Sequence, residues 1–130
     1  MRLAVILLQN AVRLIGLVLI VLGFLFWARQ AYSLVPLHMW LGITEVVLLW
    51  TLALLALQVR VTLGLVVTGL LWGLLTVAFG WNMGSLLPGR AHEIVRVLHF
   101  LIGLGVIGLA ESLAARIKRG GRWSAATTSS

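Results

Sequence analysis

Two short segments of this chain carry the same pairing of a coordinating side chain with a gap. They are Leu37-His38-Met39-Trp40-Leu41-Gly42 and Leu98-His99-Phe100-Leu101-Ile102-Gly103. In each, an imidazole is followed four positions later by a glycine, so on a helix the two share a face one turn apart. Imidazole is the commonest protein metal ligand. A glycine one turn away leaves the backbone open to close approach by something flat. The third histidine, His92, has no glycine at that spacing.

The elements that must position these residues follow from composition. Sixty-two per cent of the residues are hydrophobic and 10% charged, with a mean hydropathy of +1.12. A soluble domain is nearer half apolar and a quarter charged, so the sequence reads as an integral membrane protein of one domain. There is no cysteine, which excludes disulfides, thiolate metal sites, iron–sulfur clusters and Cys-x-x-Cys-His haem attachment. Metal chemistry therefore falls to the histidines, with Met39 and Met83 as soft helpers.

Four apolar runs are long enough to cross a bilayer. The first spans about Ala11 to Ala28; no small-x-small cleavage site follows it, so it reads as a retained span. Pro36 turns the chain into a second span, about Leu37 to Leu57, and the third, about Val61 to Gly80, follows after almost no loop. Asn82 to Gly89 is turn chemistry, and the fourth span runs from about Ala91 to Ile117. Residues 1–117 thus form an all-α four-helix transmembrane bundle, and residues 118–130, basic and then Ser/Thr-rich, are expected to be a flexible tail.

Arg2, Arg13, Arg60, Arg116, Lys118, Arg119 and Arg122 fall at the end that carries the termini, against Arg29, Arg90 and Arg96 at the other. That asymmetry places both termini in the cytoplasm, in what is expected to be a bacterial inner membrane. It also assigns the net charge of +7 to topology and anionic lipid and not to nucleic acid. The recurrence of Leu-His-x-x-[Leu/Ile]-Gly at the start of the second and fourth spans suggests a duplicated helix hairpin.

With the termini on one side, the second and fourth spans run parallel. At 1.5 Å per residue, His38 lies roughly 30 Å and His99 roughly 26 Å above their cytoplasmic ends, with His92 at roughly 37 Å. A haem standing between two helices needs axial ligands at matching depth on opposite faces of its ring, and a small residue beside each. His38 and His99 supply the first, Gly42 and Gly103 the second. His92 is the alternative to His99 as ligand. Arg29, Arg90 and Arg96 are candidate partners of the propionates, and Trp27, Trp40 and Trp81 belong to the same interface.

These residues resemble the small four-helix membrane b-type cytochromes, which hold non-covalent haem with histidines of transmembrane helices. The resemblance covers the four-helix layout and the two Leu-His-x-x-x-Gly segments, and it implies His38 and His99 as iron ligands. Most such cytochromes hold two haems; here no histidine lies in the cytoplasmic half, so one haem b per chain is implied. Electron transfer with quinone or an extracytoplasmic redox partner follows as the expected function. The chain would then be a membrane oxidoreductase component, with a second copy of itself or a larger redox complex as further partners.

Glu45 lies seven positions after His38, about 20° round the helix and roughly 10 Å deeper. Carboxylates at that depth are costly and usually functional. It is expected either to exchange a proton or to bond Thr68, Thr76 or a backbone carbonyl, while Glu111 is expected to pair with Arg13 or Arg116. Three other readings stay open. One is a small proton-coupled multidrug-type transporter using Glu45, a segment that resembles such a transporter's binding glutamate. Another is a copper site of His38, Met39, Met83 and His92. The last is a structural or assembly subunit.

Overall fold

The computed structural model describes residues 1–127, with side chains described through Gly120. Four long helices account for most of it: α1 (Arg2–Trp27), α2 (Val35–Gln58), α3 (Leu63–Asn82) and α4 (His92–Thr127). Each is long and apolar enough to cross a membrane. Single 3₁₀ turns at Tyr32–Leu34, Met83–Ser85 and Gly89–Ala91 make the connections at one end.

The helix ends have local causes. Pro36 sits in the first turn of α2, where its missing N–H is not needed. The first two helices stop alike. Arg29 and Arg60 follow α1 and α2 in the left-handed region, at φ 58° and 56°. Beyond them Gln30 N–H donates to Leu25 O at 2.8 Å and Val61 N–H to Ala56 O at 3.2 Å. That is the six-to-one bond of a Schellman cap, with arginine where glycine is commoner. An arginine side chain there complements the helix C-terminus. Two ends differ from the sequence expectation. The first helix begins at Arg2, nine residues before the expected apolar run, because Leu3 to Gln9 contain no breaker. The fourth continues to Thr127 through the segment expected to be tail; residues 128–130 lie outside the described residues.

α2 and α4 are the central pair, each packed on the other and on both α1 and α3. They run parallel, since His38 and His99 meet near their N-terminal ends while Gly69 of α3 lies beside both Leu49 and Leu113 further along. The core is dense at the termini end. Leu49, Leu52 and Ala53 of α2 are fully buried against Ala110, Leu113 and Ala114 of α4, with Val5 and Val12 closing from α1. The outward faces are apolar too: Leu7, Leu14, Leu54 and Leu71 are all more than half exposed.

Two glycines act as notches. A Cβ on Gly105 would stand 2.5 Å from the Trp72 indole, whose N–H donates to Ile102 O at 2.9 Å. Gly73 receives Trp50 in the same manner, and that indole donates to Leu70 O at 3.1 Å. Small residues thus let α3 lie close to α2 and α4.

Candidate functional site

The other half of the bundle, towards the α1–α2 and α3–α4 connections, is hollow. A cavity of about 590 Å³ lies between all four helices, walled mainly by apolar and aromatic side chains, a size and lining typical of ligand sites. His38, Gly42 and Glu45 of α2 line it, and so do His92, Arg96, His99 and Gly103 of α4.

The two aligned histidines face each other at the start of the parallel helices, ring centroids 6.2 Å apart and planes inclined by 52°. Each ring is braced by an aromatic neighbour. Phe26 meets His38 edge-on at 5.4 Å, and Phe79 stacks on His99 at 6.2 Å with planes 10° apart. The Nδ1 atoms of both histidines are buried and have no hydrogen-bond partner among the described residues. A buried polar atom left so is costly.

The space beside them fits the expected group. A Cβ placed on Gly42 or Gly103 would meet nothing within 4 Å, so both glycines open onto the cavity and neither is used in helix contact. The two imidazole centroids are 6.2 Å apart and both rings line the cavity, so one group placed there could be held by both. A bare ion fares worse: no group of three or more His, Asp or Glu side chains able to hold a metal occurs among the described residues. A haem brings four equatorial nitrogens of its own and needs only two imidazoles.

The remaining expected residues divide. His92 lines the cavity, its Nδ1 3.2 Å from Leu86 O. Arg96 lines it as well while donating to Glu93 at 3.0 Å. Arg29 and Arg90 are not on the lining; Arg29 forms the α1 stop and Arg90 lies in the 3₁₀ turn before α4. Trp27 and Trp81 contribute walls, whereas Trp40 points away and is 69% exposed. Met39 and Met83, of the copper set, also reach the cavity.

Glu45 occupies the inner end of the cavity beside Gly16 and Ile107. It is 4% exposed, and neither carboxyl oxygen has a partner among the described residues. The expected bond to a threonine is not made, because each hydroxyl turns back on its own helix. Thr68 donates to Gly64 O at 2.8 Å and Thr76 to Trp72 O at 2.7 Å. Glu111 behaves as expected, taking two bonds from Arg13 at 2.6 and 2.9 Å. Buried Gln9 joins them, donating to Glu111 and accepting from Lys118 at 2.7 Å. This network ties α1 to α4 at the termini end.

Sequence reasoning missed Phe26, Phe79 and Gln9. The phenylalanines precede the cavity tryptophans Trp27 and Trp81 by one and two positions, which was the available signal. No protein family, curated protein or solved structure matches this chain.

Proposed function

We propose that this chain is a membrane protein that binds one haem b between α2 and α4 and acts in electron transfer. His38 and His99 would hold its iron, and Gly42 and Gly103 leave the space beside them free. The observation that carries the reading is the imidazole pair: two rings on parallel helices, 6.2 Å apart, both on the lining of one cavity that no side chain fills. When bound, the haem would supply reversible one-electron exchange at a potential tuned by its ligands and burial.

The protein's own contribution is positional. Phe26 and Phe79 restrict rotation of the two imidazoles, and the apolar walls exclude water. Arg96 is the cation available at the cavity for a propionate, at the expense of its bond to Glu93. The four spans insert with both termini in the cytoplasm, as the excess of cations at that end favours, so the haem lies in the outer half of the bilayer. Its exchange partners are membrane quinone or an extracytoplasmic redox protein.

Absorption spectra of the detergent-purified protein, oxidised and dithionite-reduced, test the reading beside His38→Ala and His99→Ala. A sharp Soret band with split reduced α and β bands, lost in either variant, is the expected result. A protein that stays colourless after haem reconstitution overturns it. The partnerless Glu45 favours the second reading, a proton-coupled transporter; a colourless protein with Glu45-dependent uptake of lipophilic cations into vesicles would select it.

A further inference from the structure

We infer that Glu45 is the counter-ion of the cavity's occupant and binds a proton when the occupant's positive charge is lost. The inference rests on the haem reading and assigns a redox-linked proton site within it.

The argument starts from an inventory of negative charge. The chain has three acidic residues. Glu111 is held by Arg13 and Glu93 by Arg96. Glu45 alone has no cation and no hydrogen-bond donor among the described residues, although it is the most buried of the three at 4% exposure. An ionised carboxylate in apolar surroundings requires a counter-charge, and the protein offers none there. What Glu45 does adjoin is the cavity. It stands two helical turns below His38, about 10 Å along the axis, close enough for charge at the ligand pair to be felt through a medium that screens poorly.

The other titratable or charged groups on the cavity wall are His38 on α2, Tyr32 in the preceding turn, and His92, Arg96 and His99 on α4. α1 and α3 contribute none to the described lining. No second carboxylate faces the occupant. Held by His38 and His99, an oxidised haem would bring one net positive charge on its core, which the Glu45 carboxylate would balance. One electron, delivered by dithionite or by a quinol, would cancel that charge. Glu45 would then take up one proton from the medium, an O–H bond forming on its carboxylate, so that the charge of the site stays unchanged.

Spectroelectrochemical titration of the purified haem protein across a range of pH tests this, in wild type and Glu45→Gln. Wild type is expected to show a pH interval in which one proton accompanies one electron, a tenfold change in proton activity converting to about 59 mV for a one-electron couple. Glu45→Gln is expected to keep the spectrum and lose that slope, the mouth groups being common to both. Reduced-minus-oxidised infrared spectra of wild type provide an independent readout: a protonated carboxyl C=O band, shifted in D₂O, appears on reduction. A wild-type potential independent of pH, a slope that persists in Glu45→Gln, or no carboxyl band overturns the inference while leaving the haem reading intact. Absence of a Soret band overturns both and is distinguished by colour alone.

Discussion

The ring of Phe79 of α3 lies nearly parallel to that of His99 of α4, planes 10° apart and centroids 6.2 Å apart. The histidine therefore approaches the cavity in one orientation, set from a helix other than its own. Aromatic pairs of this kind contribute about 0.5–1.5 kcal/mol. Phe79→Ala should weaken haem retention by up to about tenfold, the equivalent of about 1.4 kcal/mol, and introduce a high-spin fraction into the oxidised spectrum. Phe79→Leu should fall between. Haem transfer to an apo-globin acceptor measures the loss rate.

Gly42 and Gly103 give a prediction in which stability and binding move oppositely. A helical Gly→Ala change stabilises by about 0.5–1 kcal/mol when the space is free, and it is free at both positions. Gly42→Ala and Gly103→Ala should raise the unfolding midpoint of the haem-free protein. Larger Gly42→Val and Gly103→Val should obstruct haem uptake in titration. An increase in haem affinity for the valine variants would count against the assigned faces.

Gly105 and Gly108 should behave as opposites despite being one turn apart. A Cβ on Gly105 would stand against the Trp72 indole, while one on Gly108 meets nothing within 4 Å. Overpacking costs about 1–3 kcal/mol, so Gly105→Ala should lower thermal stability in detergent and Gly108→Ala should not. Trp72→Phe, losing the bond to Ile102 O, should partly rescue Gly105→Ala.

The clamp at the termini end ranks its members. Arg13 is 57% exposed at its side chain, and solvent screens an exposed ion pair so that it contributes little. Gln9 is 6% exposed and joins Glu111 to Lys118. Gln9→Leu leaves both without that link, so it should destabilise by about 1–3 kcal/mol and exceed Arg13→Gln. Denaturation of the two variants side by side decides the order.

The four helices, the tight α2–α3 turn, the parallel histidine pair and the Glu111–Arg13 bond could all be read from the sequence. Each depends on something periodic or local: apolar run length, a helical spacing of four or seven, a charge near the span end. What escaped depends on how helices are rotated against one another. Phe79 reaches His99 and Gln9 reaches Glu111 across helix boundaries, and in a chain where leucine and valine occupy every face no period marks the inward one. Arg29 was assigned to the ligand by its charge and end of the bundle, but its backbone is the stop of α1. Glu45 shares the cavity lining with His38, yet Thr68 and Thr76 bond carbonyls one turn back on their own helix.

The uneven packing of the bundle has an electrical consequence. In an energised membrane a potential falls across whatever is driest and least polarisable, and here that is the dense half below Glu45. From Glu45 to Gln58 at the end of α2 is about 20 Å of helix. On the haem reading, a filled cavity would leave most of the field there. Moving one elementary charge through the full drop is worth about 2.3 kcal/mol per 100 mV. A proton reaching Glu45 from the cavity side would cross little of it, and one arriving from the termini side nearly all. Imposing a diffusion potential on vesicles would therefore report the direction from which Glu45 is filled.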